Sequence, residues 1–303
     1  MYYYLILTLL LILLIVYYVY KTNIYESYNN VNTDIGNVLS AYYCKLIISI
    51  LKKEDFIYSN DNKFISSFPK YIKWNEELYN ELNMNNISLS DIEEIPDISF
   101  WTVTDVKYEK IHNIMKPTIH KIFDDTFTNL NLNKMVNYPI IHFRCADTPF
   151  IKHYHYYFQK YSYFEKALKE LESKIGEFTN ITILVNFNHQ SSDKNKETCS
   201  KYLNKLQEII NQFDKKYNIN IESNSNVDDF VSMFYAPAVI STISSFSFMS
   251  GFFGSGIYIQ PNMSIDNNEV CLDCVNPYKG YNIPHNKVND YHNVDDVYKL
   301  LIE

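Results

Sequence analysis

The chain is 303 residues long, 47% apolar, and carries a formal net charge of −8 at neutral pH. That length and apolar content suit a sizeable packed core and exclude disorder as the default. The acidic balance, with no basic stripe, argues against nucleic acid as the main partner, because a polyanion needs clustered positive charge. Tyr, Asn, Ile and Lys abound while Gly numbers 6 and Pro 9. An AT-rich genome, such as that of a large DNA virus or a protist, leaves this imprint on any protein, so the Asn runs at 28–32 and 83–86 carry little functional weight.

Residues 2–20 contain no charge. As a helix they would measure about 28 Å at 1.5 Å per residue, close to the hydrocarbon thickness of a bilayer. Tyr2, Tyr3 and Tyr4 at one end and Tyr17, Tyr18 and Tyr20 at the other are the rings expected at both interfaces. Neither a basic start nor a small-residue cleavage site is present, which favours an uncleaved single-pass anchor over a signal peptide. The nearby Lys21, taken alone, favours a cytoplasmic body. A polar linker follows at 22–34.

Residues 35–53 have helical spacing at Val38, Tyr42, Leu46 and Ile50. Ser90 and Glu93 read as a capping box, and Pro117 reads as the first turn of a helix carrying Ile119, Ile122, Phe123 and Phe127. Residues 98–103 are the best strand candidate in this half. The region 35–135 is therefore expected to be mostly helical.

From residue 136 the texture changes. Strands are expected at 136–144, 181–187, 219–222, 238–243 and 256–260, with helices at 163–175, 196–216, 227–235, 246–253 and 294–302. Short apolar strands alternating with helices predict an α/β domain over 136–303, a Rossmann-like parallel sheet covered on both faces. In such sheets ligands bind beyond the carboxyl ends of the strands.

Arg144 is the sole arginine beside 26 lysines. A planar fork that donates two parallel hydrogen bonds to a phosphate is a task an ammonium cannot perform; the alternative is an ion pair with a neighbour such as Asp147. Further on, a strand empties into Ser244, Ser245, Phe246 and Ser247 at a helix start, where free N–H groups and hydroxyls can face an anion; the alternative is an ordinary N-cap. Asp228 and Asp229 either read a nucleobase or cap a helix, and neither belongs to a DxD metal motif. Gly251, Gly254 and Gly256 either permit close packing or end a helix. His153 and His155 lack a third ligand at a convincing spacing. The tyrosines between 154 and 163 could stack on a sugar or base, or pack as a half-exposed surface.

The five cysteines Cys44, Cys145, Cys199, Cys271 and Cys274 leave at least one unpaired and do not form a disulfide scaffold. Cys271 and Cys274 are a lone CxxC, read as loop thiols or a local disulfide rather than half a zinc site. Sequons at Asn86, Asn180 and Asn262 carry weight only if the body is lumenal, and in a chain this rich in Asn they are expected by chance. Neither GxGxxG nor GxxxxGK[ST] occurs, which disfavours another phosphate-handling enzyme such as a sulfotransferase.

His142-x-Arg144-x-x-Asp147 resembles the HxRxxD motif of the fucosyltransferase superfamily, and the 228–248 stretch resembles that superfamily's donor loop. The resemblance covers roughly residues 136–261. It implies a GT-B-like fold, a smaller N-terminal acceptor-side region over 35–135, a nucleoside-diphosphate sugar donor (GDP-fucose foremost) and no metal cofactor. It implies Arg144 on the donor pyrophosphate, with Asp228, Asp229, Ser244, Ser245, Phe246 and Ser247 around the donor. Asp147 is the candidate base, with His142 second, and the acceptor would be a glycan or glycoprotein hydroxyl. Cys145 stands where many members have a second arginine. A non-catalytic relative serving a membrane or virion is the alternative these residues allow.

Overall fold

The computed structural model describes residues 35–261 apart from 61, 94–105, 133, 146–158, 160, 187–192, 214–216 and 243. The expected anchor at 2–20, the strand at 98–103, the pair Cys271 and Cys274, His153, His155 and the closing helix at 294–302 lie outside the described residues, as does Asp147.

The N-terminal region opens with α1 (Ile35–Lys52), followed by a two-stranded antiparallel ribbon of β1 (Phe56–Ile57) and β2 (Tyr71–Ile72), α2 (Glu76–Met84), the short α3 (Ser90–Glu93) and α4 (Val106–Asn129). By length and composition α1 could cross a membrane, yet most of it is buried in the molecule. Tyr42, Tyr43, Leu46, Ile47 and Ile50 are among its buried residues, so in this fold α1 acts as a core helix.

One local reading is corrected and one is not tested: the Glu93 side chain lies outside the described residues, and at the start of α3 the bonded pair described is Ser88 and Asp91. The Asp91 carboxylate accepts from the Ser88 amide at 2.7 Å and from its hydroxyl at 2.5 Å. Pro117 does not begin a helix but lies inside α4. An interior proline costs about 3 kcal/mol. Against it stands the stripe Ile111, Met115, Ile119, Phe123 and Phe127, all fully buried, at about 2 kcal/mol each. The stripe outweighs the missing amide, and Pro117 itself faces solvent.

The second half alternates as expected: β3 (Ile140–Phe143), α5 (Tyr161–Ile175), β4 (Asn180–Val185), α6 (Asp193–Gln212), β5 (Asn218–Glu222), α7 (Asn226–Tyr235), β6 (Ala238–Ser241), α8 (Ser245–Ser247, continuing as a π-helical turn over Phe248–Phe252) and β7 (Ile257–Ile259). The five strands are all parallel in the order β5-β4-β3-β6-β7, the winding of a Rossmann-like sheet. Alternation along each strand divides two cores. Ile141, Phe143, Ile183, Val185 and Ile240 pack against α5 and α6. Ile140, Leu184 and Val239 face the other side, where α7 and α8 share one core with α1 and α4. The N-terminal helices thus thicken one layer of the sheet domain. Phe123 and Phe127 of α4 meet Phe230 and Phe234 of α7 at ring-centroid distances of 5.1 to 6.0 Å.

Of the clustered glycines, none has a positive φ among the described residues, so close approach is the reading that fits. A Cβ on Gly251 would come within 2.6 Å of the Tyr258 ring and 3.0 Å of the Val239 side chain, holding the π-helical turn off the sheet.

Candidate functional site

Strand order reverses between β3 and β6, and in open parallel sheets the crevice beyond the carboxyl ends at such a reversal is where ligands bind. His142 pairs with Ser241 on one side and with Leu184 on the other, and Leu184 pairs with Glu222. These four form one row near the carboxyl end of the sheet, beyond which Phe143 still pairs with Val185. Arg144, two residues beyond His142, follows on the same face, because successive side chains alternate. Cys145, between the two faces' next positions, turns into the α5–α6 core and is bonded to Cys199 of α6. The position of the missing second arginine is thus directed away from the His142 face. One disulfide and a buried Cys44 thiol are compatible with the expectation of at least one unpaired cysteine and no disulfide scaffold.

Thr242 ties the two strand ends together. Its hydroxyl accepts from the Arg144 amide at 2.8 Å and donates to the His142 carbonyl at 3.1 Å, and its own amide donates to that carbonyl at 3.0 Å. The His142 ring lies 5.7 Å from that of Phe246, and Phe246 lies 5.4 Å from Phe230. The His142 Nδ1 is enclosed, with no hydrogen-bond partner among the described residues. Burial, and then the neighbouring Arg144 charge, push its pKa down to about 3. At neutral pH the ring is therefore uncharged and only weakly basic.

The serines start α8 as expected, but their hydroxyls are engaged by the protein. Ser244 is the N-cap, accepting from the Phe246 amide at 3.2 Å; Ser245 donates to Asn37 at 2.7 Å; Ser247 bonds Ser241 at 2.5 Å. Gly36 of α1 presses on the same turn, 2.7 Å from a would-be Cβ to the Ser245 carbonyl carbon.

Asp228 and Asp229 lie one strand pair away, beyond β5. Asp228 caps α7 with Ser225: its amide donates to the Ser225 hydroxyl at 3.1 Å, and that hydroxyl donates back to its carboxylate at 2.9 Å. It also pairs with Lys134 at 2.7 Å, so the helix-capping alternative is the one its contacts match. Asp229 is 5% exposed and accepts from Asn224 at 3.1 Å. Burial raises its pKa to about 7. Between Arg144 and this acidic pair, Asn186 at the end of β4 donates to Asn226 at 3.1 Å. Thr242, Asn186, Lys134, Gly36 and Asn37 were not singled out by sequence reasoning. Thr242 stood in the hydroxyl run that marks the site; the others carry no local signal.

Comparisons with protein families, with curated proteins and with solved structures returned no match. The fold alone therefore supports a Rossmann-like, nucleotide-binding type of architecture, and fold does not set chemistry. Among the described residues no three His, Cys, Asp or Glu side chains converge as a metal site.

Proposed function

We propose that the chain is a membrane-anchored glycosyltransferase that moves a fucose-like sugar from a nucleoside-diphosphate donor, GDP-fucose first among them, to a glycan or protein hydroxyl, with inversion and without a metal. The observation that carries this reading is the position of His142 at the carboxyl end of β3 and of Arg144 two residues on, beside the strand reversal, with Thr242 bonded to the backbone of both. Arg144 would hold the diphosphate and stabilise the charge that grows on it as the glycosidic bond breaks. A neutral His142 suits a hydrogen-bonding role in the pocket, which leaves Asp147 as the base that takes the acceptor proton. Asp229, buried next to Asn224, would accept from the base or ribose, while residues 2–20 would hold the body at a membrane.

The second reading is a donor-less relative with a structural role. The engagement of Ser244, Ser245 and Ser247 by the protein's own groups favours it. Full-length protein in detergent, screened by thermal shift against nucleoside diphosphates and their sugars, separates the two. Stabilisation by one nucleotide family that Arg144→Lys loses supports transfer; no shift with any donor in folded protein supports the structural role.

A further inference from the structure

We propose that the folded body lies in an oxidising, glycan-adding compartment and that Asn86 is its N-glycan attachment site. Two independent features lead there, and neither depends on the sugar-transfer reading.

The first is the bond between Cys145, at the end of β3, and Cys199, on α6. The Cα atoms are 5.7 Å apart, and the residues are 1% and 0% exposed, so both thiols sit within bridging reach inside a closed core. Disulfides of this structural kind form and persist in lumenal, extracellular or periplasmic space and are rare in the cytosol. In forming it, the two thiols give up two protons and two electrons to a thiol–disulfide oxidoreductase, whose own disulfide becomes a dithiol. Where residues 2–20 act as the expected anchor, this puts the body on the far side of the membrane from the cytosol, against the pull of Lys21.

The second is the geometry of the sequon Asn86-Ile87-Ser88. Asn86 follows α2 in the left-handed region, at φ 57°. The Asn86 amide donates to the Asn83 carbonyl at 2.9 Å and the Ile87 amide to the Leu82 carbonyl at 3.1 Å, a helix-ending motif in which Asn replaces the usual Gly. Ile87 is buried at 3% and pins the turn, while Asn86 and Ser88 face solvent. The fold uses the Asn86 backbone, and its side chain is left pointing outward, where a glycan can be carried without displacing anything. Asn180 differs. It is exposed but heads β4 in the middle of the sheet, the hydroxyl residue of its sequon, Thr182, is 3% exposed, and it shares a groove at the strand starts with Tyr138, Asn218 and Asn220. In the modification the Asn86 side-chain nitrogen bonds to the anomeric carbon of an oligosaccharide carried on a lipid diphosphate. The bond from that carbon to the diphosphate oxygen breaks, the lipid diphosphate leaves, and the amide gives up one proton.

The test is the full chain made in cells with a working secretory pathway. Peptide mapping after glycosidase treatment in heavy-oxygen water should find Asn86 converted to labelled Asp, and Asn86→Gly should remove one glycan from the electrophoretic mobility. Gly prefers the same left-handed turn, so that variant keeps the fold; Asn86→Asp, which also tolerates the turn, is the second variant. Alkylation without reductant should leave Cys145 and Cys199 unlabelled, and reduction after denaturation should expose both. Recovery of unmodified Asn86, or labelling of Cys145 and Cys199 without reductant, would overturn the proposal. Neither variant touches the Arg144 crevice, so nucleotide binding is scored separately: glycan without donor binding removes the transfer reading alone.

Discussion

The Thr242 hydroxyl is shared between two residues of the neighbouring strand, accepting from the Arg144 amide at 2.8 Å and donating to the His142 carbonyl at 3.1 Å. Thr242 is 3% exposed, so water cannot replace either bond. Thr242→Val keeps the shape and deletes both, leaving a buried amide without its acceptor at a cost of about 1–3 kcal/mol. Because the bond holds the Arg144 backbone, nucleotide affinity should fall along with stability. Urea denaturation and calorimetric titration check the pair of effects. An unchanged midpoint would mean that the bridge holds nothing.

Gly36 packs its α-carbon against the first turn of α8, where a Cβ would overlap the Phe246 amide nitrogen. Alanine in an exposed helix would gain nearly 1 kcal/mol over glycine. Here the contact is backbone on backbone, so α1 or α8 must shift, at a cost of about 1–3 kcal/mol or more. Gly36→Ala is therefore expected to destabilise the protein despite its better helix propensity. A denaturation midpoint equal to or above that of the parent would show that the two helices separate without loss.

The parallel sheet was readable because most of its strands are short apolar runs bounded by polar residues; β3, β6 and β7 fall within the expected segments, and β4 and β5 begin one residue before theirs. The site was readable in part for the same reason: Arg144 and the serines follow directly on strands. Partnership across long separations was not. Lys134 reaches Asp228 and Asn37 reaches Ser245, and no local spacing announces such pairs. Pro117 misled because its local cost is visible while the buried stripe that offsets it extends upstream to Ile111. Cys145 was read as a departure from a pocket pattern, whereas strand alternation sends it to the opposite core. The register needed to see that comes from the pairing of β3 with β4 and β6.

The Cys145–Cys199 bond closes a loop of 54 residues in sequence separation. In the chain-entropy account a loop of that size contributes about 4 kcal/mol by restricting the unfolded chain. Replacing both cysteines by alanine should lower stability by about 2–5 kcal/mol, with no glycan lost at Asn86. Under non-reducing conditions the variant and the parent should differ in denaturant midpoint, and under strong reduction of unfolded protein that difference should shrink. Equal midpoints without reductant would show that the bond contributes no net stability.

Asp229 makes stability fall as pH rises. Its folded pKa is raised to about 7, by burial first. Below about pH 4 the carboxyl is protonated in the folded and the unfolded chain alike. Between there and about pH 7 the unfolded chain releases the proton while the folded one keeps it, so folding loses free energy across that window. At about 1.4 kcal/mol per pH unit over roughly three units, the loss approaches 4 kcal/mol. Asp229→Asn cannot ionise, and its stability relative to the parent should therefore rise from pH 4 to about pH 7 and level off above that when both are unfolded in urea. A difference that stays flat with pH would mean that Asp229 ionises freely in the folded state. Nucleotide binding should run the other way: a base or ribose donating to Asp229 prefers the carboxylate, so affinity should strengthen from pH 6 to pH 8 in the parent and stay level in the variant.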